Sequence, residues 1–191
     1  LMQEIADYSL QFPFQVLWLY RFTGDKDFLR SMYPYVLGVC DFFAAYRREN
    51  GLIENVKAKW NLVDWPANLR DNYDFPLERP IGEGFHNVVN AFYVAMLGHV
   101  DDIAGILGET PTGLYESTKK AYIDAFYDRD RHLFVDSIGS HHASFHSNVI
   151  ALFGGIWTCE ENKRAMIELI REKRLTCAGV YMAFIALYAL K

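Results

Sequence analysis

The feature that most constrains this chain is an alternation of polarity between successive helical segments. Apolar residues at helical spacing predict seven helices, over about Ser9–Phe22, Lys26–Glu49, His86–Leu107, Gly113–Tyr127, Phe145–Ile156, Glu160–Lys173 and Val180–Leu190. The fifth and seventh, SFHSNVIALFGGI and GVYMAFIALYAL, carry no charged residue, and the first carries only Arg21 in its last turn. The sixth, EENKRAMIELIREKR, is mostly charge with a thin stripe of Met166, Ile167, Leu169 and Ile170; the second and fourth are also amphipathic. A helix without a polar face is buried all round, whereas one with a wide charged face covers a surface. The odd helices therefore form an inner layer and the even ones an outer layer. Pro13 and Pro34 predict a break or kink just before each. The run HLFVD at 132–136 is suited to extended structure, but no segment predicts a substantial sheet.

The connections alternate as well. Short turns (TGDK, GETPT, WTCE) join helices one to two, three to four and five to six, while the segments after helices two and four are long. Short links make antiparallel hairpins. Up-down packing then gathers the long links at one end. An inner ring, an outer ring and one loop-rich end describe an all-α fold, a partial (α/α)6 toroid. A superhelical repeat array would need a fixed sequence period, and none is present. A closed ring of six hairpins needs twelve helices, and this chain supplies about seven. We therefore expect one incomplete domain over 1–191, a piece of a longer chain, as its start at Leu1 also suggests. The uncovered apolar faces of its end helices are then candidates for self-association.

A net charge of -5 without a basic block argues against nucleic acid as a partner. No apolar run approaches the roughly 20 residues of a membrane span. Cys40, Cys159 and Cys177 are odd in number and widely spaced, which predicts buried free thiols rather than a disulfide framework. No motif calls for a cofactor.

The long link after the second helix contains KAKWNLVDWPANLRDNYD (Lys57–Asp74), with two tryptophans, three aspartates and no helical or strand period. Ordered loops of this length are usually functional. Trp60, Asp64 and Trp65 suit a sugar-binding wall, with aromatic faces against a pyranose and a carboxylate accepting from its hydroxyls. The alternative is that the tryptophans anchor the loop and Asp64 caps or turns the chain. Arg70 and Tyr73 are weaker members of the group. Asp7 precedes the first inner helix, where an N-cap role competes with a pocket role. Glu83 and His86 stand at the entrance of the third helix, and His86 is open to packing or ligand contact. His146, Ser147 and Asn148 enter an inner helix from the loop end, free to bind substrate or to satisfy one another. His141, His142 and His146 do not present the three or four convergent ligands that zinc needs, so no metal site is expected.

The run IADYSLQFPFQVLWLYRFTGDKDFLRSMYPYV, then ENGLIE, WNLVDWP and HASFHSNVIALFGGI in the same order, resembles the catalytic domain of bacterial α-L-rhamnosidases, glycoside hydrolase family 78. The resemblance covers nearly the whole chain and implies inverting hydrolysis of a terminal rhamnoside. Inversion needs a carboxylic acid and a carboxylate base ~6.5–9.5 Å apart. In the family the acid sits in an Asp/Glu-Arg-Gly-Trp motif upstream of the segment matching Leu1, and the base in a Trp-Glu motif downstream of Lys191. Neither motif occurs here, so the resemblance places both catalytic carboxylates outside the chain and implies an inactive isolated piece. The run DFPLERPIGEG echoes the acid motif without its tryptophan and in the wrong order, leaving Glu78 and Glu83 as minor in-chain candidates. Two other readings stay open: a six-hairpin glycosidase for a glucoside, mannoside or uronide, and a non-enzymatic helical interaction module.

Overall fold

The computed structural model describes residues 5–54, 56–77, 82–173 and 176–191. Among these lie eight α-helices: α1 (Ala6–Leu10), α2 (Phe12–Thr23), α3 (Lys26–Ala44), α4 (Asn87–Leu107), α5 (Tyr115–Phe126), α6 (Phe145–Phe153), α7 (Glu160–Lys173) and α8 (Val180–Ala189). The two-residue strands β1 (Tyr127–Asp128) and β2 (Leu133–Phe134) pair antiparallel, so the HLFVD run is extended over its middle.

The expected layering is present. The hairpins are α2–α3, α4–α5 and α6–α7. Helix α4 packs between α2 and α6, and α6 between α4 and α8. Every residue of α6 from Phe145 to Leu152 is buried, whereas α7 buries only Asn162, Met166 and Ile170. Helix α5 buries Thr118, Tyr122 and Phe126, a single stripe at four-residue steps. At the end remote from the loops, Phe14 and Trp18 of α2 meet Tyr188 of α8 at ring-centroid distances of 5.8 and 5.1 Å.

The first expected helix is two. Helix α1 ends at Leu10, Gln11 makes the turn, and Pro13 lies in the first turn of α2, where its missing N–H costs nothing. Pro34 does not break its helix, which runs unbroken from Lys26 to Ala44. Both Pro34 and Arg30, whose carbonyl loses its donor, lie on the exposed face, where water serves in place of the amide. That helix stops at Ala44 instead of Glu49. Residues 46–54 instead form a tight hairpin, with Arg48 N–H donating to Leu52 O at 2.8 Å and Glu54 N–H to Tyr46 O at 3.0 Å. Asn90 of α4 clasps it, accepting from Ile53 N–H at 2.9 Å and donating to Ile53 O at 3.0 Å.

The thiols are all free, but only Cys40 is buried; Cys159 and Cys177 are half-exposed, short of the expected burial.

Candidate functional site

The inner helices α4, α6 and α8 all begin at the loop-rich end. Their first amide groups lack intrahelical acceptors and carry the positive end of each helix dipole. At α6 and α8 loop aspartates answer this need, and at α4 the Asp136 carbonyl and the Tyr73 hydroxyl do. Asp71 Oδ2 accepts the N–H of Phe145, first residue of α6, at 2.8 Å. Asp64 Oδ2 accepts the N–H of Gly179, which caps α8, at 2.7 Å. Asp136, before α6, accepts Ser144 N–H at 2.9 Å and Ser147 Oγ at 2.7 Å through Oδ1. Its Oδ2 accepts Asp74 N–H at 3.0 Å and faces His142 Nδ1 at 2.6 Å, which ties the two long links together.

Two clusters result. The first gathers Asp7, Trp60, Asp64, Trp65 and His146. Asp64 is 2% exposed; beside Gly179 it accepts its neighbour Trp65 N–H at 2.7 Å and meets His146 Nε2 at 3.1 Å. Arg70 is buried and donates to the Asp64 carbonyl at 2.8 Å. Ala6 N–H donates to Trp60 O at 3.0 Å, which brings α1 to the loop. Trp60 and Trp65 meet edge to face at 6.1 Å; Trp60 is half-buried and Trp65 exposes 63% of its surface.

Asp7 does not cap α1, whose N-cap is Ile5; it lies inside the first turn and is 2% exposed. Its Oδ2 accepts from Tyr181 Oη at 2.9 Å, and its Oδ1 has no protein partner. Burial pushes its carboxyl up to about 7, opposed by the Tyr181 hydrogen bond and aided slightly by the charge of Asp64. His146 is likewise buried, with Nδ1 unpartnered. Two buried polar atoms without protein acceptors or donors thus accompany a carboxylate and two tryptophans.

The second cluster holds Tyr73 and His86 at the start of α4. Tyr73 Oη accepts from Val88 N–H at 3.0 Å, donates to Asp136 O at 3.0 Å and faces His86 Nδ1 at 3.1 Å. His86 stacks on Phe75 at 4.7 Å, and burial lowers its imidazole to about 3, so it is neutral. Glu83 is separate again, exposed beside a groove of about 430 Å³ between Asp74–Pro76 and Ser137–Ser140. Glu78 lies outside the described residues. The three histidines diverge: His141 is exposed, His142 serves Asp136 and His146 serves Asp64. Among the described residues no group of three or more ligating side chains converges as a metal site would require. Ser147 and Asn148 are turned to structure, Ser147 on Asp136 and Asn148 accepting from Phe134 N–H at 2.9 Å.

Sequence reasoning missed Tyr181, Gln11, Gly179, Asp71 and Asp136. Gln11 offered the clearest signal, as a lone amide in the apolar run SLQFPF.

The family described as the bacterial alpha-L-rhamnosidase 6 hairpin glycosidase domain matches residues 3–183. A search of curated proteins gives no significant match. Among solved structures the chain is similar to a rhamnosidase from Klebsiella oxytoca with rhamnose bound, at 16% identity and TM-score 0.74, over 97% of this chain and 34% of that one. It is similar to the GH78 family rhamnosidase of Bacillus sp. GL1, at 18% identity and TM-score 0.74, over 97% of this chain and 20% of that one. A Streptomyces avermitilis alpha-L-rhamnosidase complexed with L-rhamnose shares 17% identity at TM-score 0.60, over 88% of this chain and 14% of that one. At these identities the likeness is one of fold, and the chain spans between 14 and 34% of each structure's length.

Proposed function

The chain belongs to the bacterial α-L-rhamnosidase six-hairpin glycosidase domain family, and on that premise we propose that it forms one wall of the sugar pocket of an inverting α-L-rhamnosidase. The observation that carries the reading is the first cluster. Asp7 Oδ1 and His146 Nδ1 are buried without protein partners, beside Asp64 and the Trp60–Trp65 pair. A pyranose offers both the hydroxyls such atoms need and the apolar faces tryptophans cover.

The same geometry supports a binding role rather than the reaction itself. Inversion requires an acid and a base on opposite sides of the scissile bond, ~6.5–9.5 Å apart with water between. Asp64 is committed to three hydrogen bonds, and Asp7 retains a single oxygen, buried, without a protein partner. Glu83 lies in the other groove. The general acid, the general base and the remaining hairpins are accordingly assigned to sequence beyond these 191 residues, with residues 1–191 one part of a single catalytic domain.

The test is hydrolysis of an aryl α-L-rhamnoside by the full-length protein, followed by proton NMR. β-L-Rhamnose is expected to form first, and the 191-residue chain alone is expected to show no turnover. Turnover by the chain alone would bring the chemistry back to carboxylates within it, Asp64, Glu78 or Glu83, with Asp7 beside them. A full-length protein inactive on the rhamnoside but active on a glucoside, mannoside or uronide would replace the substrate.

A further inference from the structure

Asp7 is held by a closed set of hydrogen bonds that links α1 to α8. Tyr181 Oη donates to Asp7 Oδ2 at 2.9 Å. Gln11, one turn after Asp7, donates its side-chain amide to the same Tyr181 oxygen and also to the Asp7 carbonyl at 3.1 Å. A phenol has one proton to give. Because the Gln11 amide is a donor, that proton goes to Asp7, and the direction of the chain is fixed. Tyr8 packs on the Tyr181 ring at 5.1 Å. The outcome is a carboxyl with one oxygen engaged and the other, Oδ1, buried with no protein partner.

We propose that Tyr181, held by Gln11, is a positioning residue for the Asp7 carboxyl, fixing Oδ2 so that Oδ1 is the oxygen presented to a hydroxyl of the bound sugar. The inference rests on the reading that Asp7 and Asp64 contact that sugar. An Asp7 side chain free to rotate would present either oxygen; this one presents a single oxygen in a set direction. Tyr181 also supports the charged form of Asp7, whereas burial opposes it. The titratable groups facing Asp7 are Tyr8 on its own helix, Asp64 of the long loop with His146 of α6 bonded to it, and Tyr181 of α8.

The experiment is calorimetric titration of free L-rhamnose into the full-length protein across pH 5–9. Tyr181→Phe keeps the ring and removes the donor. It is expected to weaken binding roughly tenfold and to move the pH limb of binding upward. Gln11→Leu weakens the phenol as a donor and is expected to move the limb in the same direction by less. A merely structural role for Tyr181 would leave the limb in place, so wild-type affinity with an unmoved limb in Tyr181→Phe overturns the proposal. Should that variant lose its circular dichroism spectrum, Gln11→Leu decides by the same criterion. Asp7→Asn and Asp64→Asn separate the two levels. Weakened binding in both, with Tyr181→Phe unchanged, removes only the positioning role. Wild-type affinity in both removes the sugar site on which it rests.

Discussion

Gly179 donates its backbone N–H to Asp64 Oδ2 at 2.7 Å, joining residues 115 positions apart in sequence. The approach is close because Gly179 has no side chain. A Cβ at that position would lie 2.5 Å from Asp64 Oδ1 and 2.9 Å from the Trp65 carbonyl. Its φ of -70° is open to any residue, so the demand for glycine here is steric and comes entirely from the loop.

Gly179→Ala should therefore push the Asp64 loop away from α8. Overpacking of this kind costs about 1–3 kcal/mol, read as a lower urea midpoint of the full-length protein. Affinity for L-rhamnose should fall with it. In an Asp64→Ala background the added cost should shrink, since the nearest clashing atom has gone. Full additivity of the two substitutions would show that Asp64 and Gly179 do not bear on each other.

The layering of the fold was readable because it needs only polarity: a helix such as SFHSNVIALFGGI has no face that tolerates water, and its residues from Ser144 to Leu152 are all buried. The Asp-rich loop was readable as a special segment, with its pocket role and its capping role both in view. What could not be read was the address of each carboxylate. Asp64, Asp71 and Asp136 look alike in sequence, and they differ only in which inner-helix amide group the fold carries to them. Tyr181 was hidden for a related reason. On the spacing of α8 it is one more aromatic in an apolar helix, and only α1 passing alongside gives its hydroxyl a partner. Pro34 misled because the breaking rule assumes a buried carbonyl, whereas here the affected turn faces water.

Asp136 is the second point at which the loops are fastened. It is fully buried, and removing its carboxylate strands Ser144 N–H, Asp74 N–H, Ser147 Oγ and His142 Nδ1 together. Asp136→Ala should cost about 3–5 kcal/mol, by the same urea measurement. Ser147→Ala removes one neutral donor and should cost about 1 kcal/mol. Equal, small losses in both variants would contradict the fastening role.

Two buried groups set opposite pH dependences on stability. The His86 imidazole is lowered to about 3 from 6.5, so between those values the unfolded chain binds a proton that the folded one does not. Its contribution is complete above pH 6.5 and is lost as pH falls toward 3. The Asp7 carboxyl is raised to about 7 from 3.8, so here the folded chain binds the extra proton. That contribution is complete below pH 3.8 and is lost as pH rises through about 7. Each slope approaches roughly 1.4 kcal/mol per pH unit at most. They oppose one another between pH 4 and 6.5. Asp7→Asn should therefore make stability rise more steeply with pH across that window, and His86→Gln should make it fall. Urea midpoints taken at half-unit pH steps test both; unchanged slopes would mean that neither group titrates as its burial requires.

Helix α8 exposes Val180, Phe184 and Leu187 at 92, 53 and 63% of their surfaces, three apolar residues at four- and three-residue steps along one face. On α2, Phe22 and Leu19 are exposed by 80 and 45%. An inner helix with an open apolar face needs a neighbour, and the remaining hairpins of a six-hairpin ring would supply it. The two settings give opposite results for one substitution. In the 191-residue chain alone, the face should drive self-association, and Val180→Lys with Leu187→Lys should return the sedimentation profile toward monomer. In the full-length protein the same pair would bury charge against the next inner helix and should lower stability by about 2–4 kcal/mol, read as a lower urea midpoint. A monomeric chain together with an unaffected full-length protein would show that this face meets water in both.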